Sequence, residues 1–156
     1  MLMATMSTSP DSLTIPKAPA VGAPVLFLLR LEGLAAAALT ATFYARTGAS
    51  WWLFAALWLA PDLSMLGYLG GPKLGARIYN TIHAYVVPGT LAVSSLLFRS
   101  ESLLPIALIW MNHIGVDRLL GYGLKYPAGF GWTHLGKMGK EPRSAPATSD
   151  DAVAAS

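Results

Sequence analysis

The 156-residue chain is 54% hydrophobic and only 12% charged, with a mean hydropathy of +0.49. A water-soluble domain carries about 25% charged residues, so half that share excludes a fold whose whole surface faces water. The lack of cysteine excludes a disulfide scaffold, a thiolate metal site and a cysteine nucleophile. The net charge of +3 does not mark a nucleic-acid binder, because the basic residues bracket apolar segments instead of forming a patch.

Residues 1–20 are small, polar and proline-dotted and read as a disordered lead. Four apolar segments follow, at about 25–45, 51–70, 74–98 and 103–122. Each is near the 20 residues that, at 1.5 Å per residue, span a hydrocarbon core of roughly 30 Å. The pattern predicts an all-α integral membrane four-helix bundle within residues 21–137, with short loops that make sequence neighbours antiparallel. The stretch 123–140, which mixes glycine, aromatics and lysine, predicts a C-terminal interfacial hook. In it His134 reads as solvated. Residues 141–156 read as a disordered tail.

Orientation follows from lysine and arginine placement. With the N-terminus inside, Lys17, Arg30, Lys73, Arg77, Arg118, Lys125, Lys137, Lys140 and Arg143 face the cytoplasm, and only Arg46 and Arg99 face the other side. Both termini are therefore expected in the cytoplasm of a cell-membrane protein. Trp51 and Trp52 fall at the outer end of the second segment, and Tyr68, Tyr79, Tyr122 and Tyr126 at inner ends, as interfacial aromatics do.

Ionisable groups inside membrane helices mark function by default. Arg30, Glu32, Asp62, Asn80, His83, His113, Asp117 and Arg118 all fall roughly 6–13 Å from the cytoplasmic end of their segments, which makes one polar slab across all four helices. Arg77, Asn80 and His83 share a stripe at i, i+3, i+6, and His113 and Asp117 share a face at i, i+4. Pro61 beside Asp62 and Pro88 beyond His83 each remove a backbone donor and free carbonyls for other partners.

Three readings of the slab stay open. In the first, Arg30, Arg77 and Arg118 pair with Glu32, Asp62 and Asp117 as a structural network of a non-catalytic assembly protein, Arg30 and Glu32 forming a helix-end pair. In the second, Asp62, His83, His113 and Asp117 form a membrane-embedded acid–base site for an amphipathic, lipid- or isoprenoid-like small molecule, since these side chains move protons. Arg30, Glu32, Arg77, Asn80, Asn112, Arg118 and Tyr122 support or bind. In the third, His83, His113 and Asp117 ligate zinc or iron. Against the metal stand the lack of HxxxH and ExxH pairs and the arginines near the carboxylates. No Walker loop, dinucleotide fingerprint or GxSxG elbow names a cofactor. The expected partner is the lipid bilayer, and nothing names a protein partner.

The strings RLEGLA (30–35), APDLSMLGYLGGPKLGARIYNTIHAY (60–85) and NHIGVDRLLGYGLKYPAGFGWTHLGK (112–137) resemble the bacterial small integral membrane proteins grouped as domain of unknown function 4260. The resemblance covers residues 25–137. It implies a multi-pass membrane protein and supplies no activity and no functional residue.

Overall fold

Pro24 opens the first helix, α1 (Ala23–Arg46), where its missing N–H costs nothing. A short α2 (Trp51–Leu57) follows, capped by the Ser50 side chain, which accepts from the Trp52 N–H at 3.2 Å. Next come a 3₁₀ helix (Ala60–Gly70), α3 (Pro72–Ile82), α4 (Val86–Phe98) and α5 (Leu103–Leu120). Two two-residue strands, β1 (Trp132–Thr133) and β2 (Gly136–Lys137), pair antiparallel after the last helix. This computed structural model describes residues 22–127 and 131–137. The expected lead (1–20), tail (141–156) and parts of the hook, with Lys17, Lys140 and Arg143, lie outside the described residues.

Four stretches are long and apolar enough to cross a membrane: Ala23–Arg46, Trp51–Gly70, Pro72–Phe98 and Leu103–Leu120. Large side chains such as Phe27, Leu28, Trp52, Leu69, Val86 and Phe98 point away from the protein. In water they would be a liability; on a membrane bundle they face lipid. The molecule is an all-α membrane bundle.

The second and third expected helices are not continuous, and each departure has a proline at its root. Pro61 cannot donate to the Leu57 carbonyl, and its ring crowds that group. The Asp62 N–H instead reaches the Leu59 carbonyl at 3.1 Å, and the chain continues as 3₁₀ for 11 residues, well beyond the usual 3–4. Pro88 likewise denies a donor to the Ala84 carbonyl, and the helix is broken between Ile82 and Val86. The last helix ends at Leu120, short of the expected 122. Gly121 closes it in the left-handed region at φ 92°, with its own N–H on the Arg118 carbonyl and the Tyr122 N–H on the Asp117 carbonyl.

Without a hydrophobic drive between helices in lipid, close backbone approach is what holds a bundle together. On α1 the buried residues Gly33, Ala37, Thr40 and Tyr44 form one stripe, and it packs on α5. A Cβ on Gly33 would lie 2.6 Å from the Leu119 nitrogen, and one on Gly115 would lie 2.8 Å from the Ala37 nitrogen. Only hydrogen fits at either position. Higher up, Tyr44, Leu108 and Ile109 form an apolar core, and the Tyr44 hydroxyl donates to the Ser50 carbonyl at 2.6 Å.

Asn112 then ties three segments at one point. Its amide nitrogen donates to the Ala37 carbonyl (2.8 Å) and to Thr40 Oγ1 (3.3 Å), and its oxygen accepts from the Trp58 indole (3.0 Å). The 3₁₀ helix and α3 form a tight hairpin, with the Tyr68 ring lying over Gly75.

Candidate metal centre

The two breaks and the unbroken α5 meet at a cluster of four side chains. Asp62 comes from the first turn of the 3₁₀ helix, His83 from the residue that ends α3, and His113 and Asp117 from successive turns of α5. The two Nε2 atoms are 3.3 Å apart. Asp62 Oδ1 lies 3.4 Å from each of them, and Asp117 Oδ2 lies 3.6 Å from His83 and 3.7 Å from His113. One nitrogen or oxygen from each residue thus falls within 4.8 Å of all the others. The imidazoles are almost wholly enclosed, whereas the Asp62 side chain keeps 32% of its surface accessible.

Tautomers decide what this cluster can do. The Nδ1 of His83 lies 3.1 Å from the Tyr79 carbonyl, and only an N–H can hold that contact. The neutral ring therefore turns a bare Nε2 lone pair towards His113 and the two carboxylates. With His113 in the same tautomer, two nitrogen lone pairs and two carboxylate oxygens face one point and form a ligand set of imidazole and hard oxygen, the mixture that zinc, iron and manganese accept. Among the described residues, His113 Nδ1 has no hydrogen-bond partner.

A second layer orients the first. Tyr79 acts twice: its carbonyl fixes His83, and its hydroxyl reaches Asp117 Oδ2 at 3.4 Å. The Tyr79 ring also stacks on His83, with centroids 3.8 Å apart and planes 10° off parallel. Trp58 meets His113 edge-on at 5.1 Å. The carbonyls freed at the α3–α4 break are taken up by α5, since the Trp110 indole donates to Ile82 (2.8 Å) and Arg118 donates to His83 (3.2 Å). Such outer partners orient metal ligands as much as the ligands' own rotamers do.

The C-terminal segment closes the end of the bundle next to Tyr79 and Asn80. The Asn80 side chain clamps the Lys125 main chain, donating to its carbonyl at 2.8 Å and accepting from its N–H at 2.7 Å. That carries the Lys125 ammonium over the Tyr79 ring, 5.2 Å from its centroid. Burial pushes the Lys125 amine below its ordinary range, while Asp117 works in the opposite direction. His134 is not solvated as expected. It is half-buried, and its Nδ1 accepts the Leu124 N–H at 2.8 Å. Burial first, and then the charge of Arg118, lower its pKa.

The slab of sequence neighbours is therefore sorted by facing. Asp62, His83, His113 and Asp117 converge, while Asn80, Asn112 and Arg118 hold backbone around them. Arg30, Glu32, Arg77 and Tyr122 are exposed. The Arg30 guanidinium lies against Gly121. Among the described residues no arginine pairs with a carboxylate, so the expected arginine–carboxylate network and the Arg30–Glu32 pair do not form. The objection that arginines would satisfy the carboxylates falls with it. From the sequence Tyr79 counts only as an interfacial aromatic, and the metal set holds His83, His113 and Asp117 without Asp62. The signal for Tyr79 was its place four residues before His83, one turn down the same helix face.

A family model described as "Domain of unknown function (DUF4260)" matches residues 27–138, and the chain belongs to that family. No curated protein and no solved structure matches the chain.

Proposed function

We propose that this DUF4260 protein is a membrane-embedded metalloprotein, holding one divalent transition-metal ion with Asp62, His83, His113 and Asp117. The observation that carries the reading is the convergence of four ligand atoms within 4.8 Å, drawn from three separate elements. The His83 tautomer supports it, because it turns the Nε2 lone pair towards the point that the other three ligand atoms share. A bound ion would act as a Lewis acid at this point, polarising an oxygen of whatever reaches it. Asp62, the most accessible ligand, marks the side of approach. Tyr79 keeps His83 and Asp117 aimed.

Elemental analysis of detergent-purified protein, grown and isolated without chelator, tests this. The expected result is one zinc, iron or manganese ion per chain, lost in His83→Ala and His113→Ala while helical content by circular dichroism persists. Protein that purifies without metal and takes up none of the three ions in titration overturns it.

The acid–base reading rests on one observation, the 3.3 Å approach of the two Nε2 atoms, which suits a shared proton. It requires full function in metal-free protein, whereas the metal reading requires none.

Orientation is part of the proposal. With nine basic residues against two, both termini and the Lys125 hook belong to the cytoplasm of the cell-membrane protein. Reporter fusions at residues 48 and 100 are expected to read external, and one at residue 72 internal. A cytoplasmic reading at 48 overturns the topology.

A further inference from the structure

Beside the centre lies a cavity of about 470 Å³, within the ~300–1,000 Å³ usual for small-molecule sites. Its walls come from the three elements that supply the ligands, with Leu57 at the end of α2. Pro61 and Ser64 flank Asp62 in sequence, Ile82 precedes His83, and Ile109 and Trp110 lie one turn before His113. The lining is apolar apart from Ser64 and the Trp110 indole, which is already engaged with Ile82. Leu63 and Ile78 stand on its rim and are exposed, 66% and 38%. Both belong to membrane-spanning stretches, so the mouth opens sideways into lipid.

We propose that this cavity takes a single apolar chain of a lipid, fatty or isoprenoid, entering from the bilayer and presenting an oxygen-bearing end towards Ser64 and the metal centre. The proposal rests on the metal reading only for what meets that polar end. A chain gains no hydrophobic free energy in moving from lipid tails into this cavity, because the two surroundings are equally apolar. What an empty cavity lacks is dispersion contact along its walls, and a hydrocarbon chain supplies it. Selectivity must then come from the polar end. Ser64 Oγ is buried and, among the described residues, has no hydrogen-bond partner. A buried hydroxyl left in that state is unfavourable, and turning it towards the cavity lets an ester, carbonyl or hydroxyl oxygen on the occupant satisfy it. Pro61 on the cavity wall is joined directly to Asp62, so the wall of the cavity borders the metal centre.

The probe is a long-chain fatty alcohol with a terminal diazirine, photolysed with the full-length protein in nanodiscs, with metal measured in parallel. Labelling is expected on the segments holding Leu63, Ile78 and Ile106. Ile106→Trp, which fills the cavity, should cut it several-fold at unchanged metal content and melting temperature. Ser64→Ala should weaken capture of the alcohol while leaving capture of a diazirine-bearing alkane unchanged. Labelling spread evenly over lipid-facing positions, or unaffected by Ile106→Trp, overturns the proposal. So does a wild-type dimer that Ile106→Trp converts to monomer, which would assign the cavity to a second copy of the chain. Cavity labelling in protein that binds no metal overturns the metal reading and leaves the chain site. Metal without cavity labelling does the reverse.

Discussion

The outer pair of segments and the middle pair are built on opposite principles. α1 and α5 run unbroken and meet backbone to backbone at Gly33 and Gly115. The two middle segments are each broken, and at each break stands an ionisable residue, Asp62 or His83. Irregular backbone survives at membrane depth only where its freed groups find partners inside the protein. At the α3–α4 break the partners are Trp110 and Arg118, side chains of the regular helix. The contrast shows a division of labour. The regular pair is a frame, and the irregular pair is held in shape by it at the point where chemistry is placed. α5 belongs to both, since its other face carries His113 and Asp117.

Breaking the frame should have the largest effect. Gly33→Leu or Gly115→Leu puts side-chain atoms where main chain already lies, and no rotamer avoids it. We expect no folded, monodisperse protein from either variant, against normal recovery of Ala38→Leu, an exposed control on the same helix. Size-exclusion chromatography in detergent reads the difference.

Repairing the irregular pair comes next. Pro61→Ala or Pro88→Ala restores a donor and invites a regular helix, which rotates and shifts Asp62 or His83. Metal affinity should fall by roughly 10–100-fold, the range seen when ligand orientation is lost, with melting temperature unchanged or raised. Tight binding retained in both would break the link between irregularity and function.

Smaller effects sharpen the picture. Trp110→Phe leaves the Ile82 carbonyl without its donor and should cost about 1–3 kcal/mol, read as a drop in melting temperature. Tyr79→Phe keeps the carbonyl that aims His83 but removes the hydroxyl at Asp117. Because that contact is long at 3.4 Å, the loss in metal affinity should be about tenfold or less.

The smallest effect is expected at His134. Its pKa in the docked segment lies below the ordinary 6.5, so the undocked segment binds more protons once pH falls below that value. Docking is therefore undisturbed above about pH 6.5 and weakens as pH drops through the gap between the two values. The protection factors of the Leu124 and Lys125 amides, taken against the intrinsic exchange rate at each pH, should fall on going from pH 7.5 to 5.5, and His134→Gln should flatten the response.

The membrane class and the four segments were legible in the sequence because length and hydropathy carry them. The shared depth of Asp62, His83, His113 and Asp117 was legible too, since depth is counted along each helix. Facing between helices was not. Arg30, Glu32 and Arg77 sit at the same depth and point outward, and no rule of linear spacing fixes the rotation of one helix against another. Continuity at residues 51–70 and 74–98 is not legible either, because apolar periodicity ignores a missing N–H. Pro61 and Pro88 were visible and were read as sources of free carbonyls, but their power to convert 11 residues to 3₁₀ depends on the tertiary partners that stabilise the result.

The chain's first helix packs on its last, and this sets the order of assembly in the membrane. Gly33, Thr40 and the rest of the α1 stripe meet lipid until α5 has been made. At ~5–20 residues per second the stretch from Arg46 to Leu120 takes roughly 4–15 s to synthesise. During that interval Asp62 and His83 also lack the two α5 residues that complete their cluster. A ribosome that stops before α5 leaves a chain with an unpaired glycine face and two ionisable groups in hydrocarbon, the features by which membrane quality control can recognise an unfinished protein.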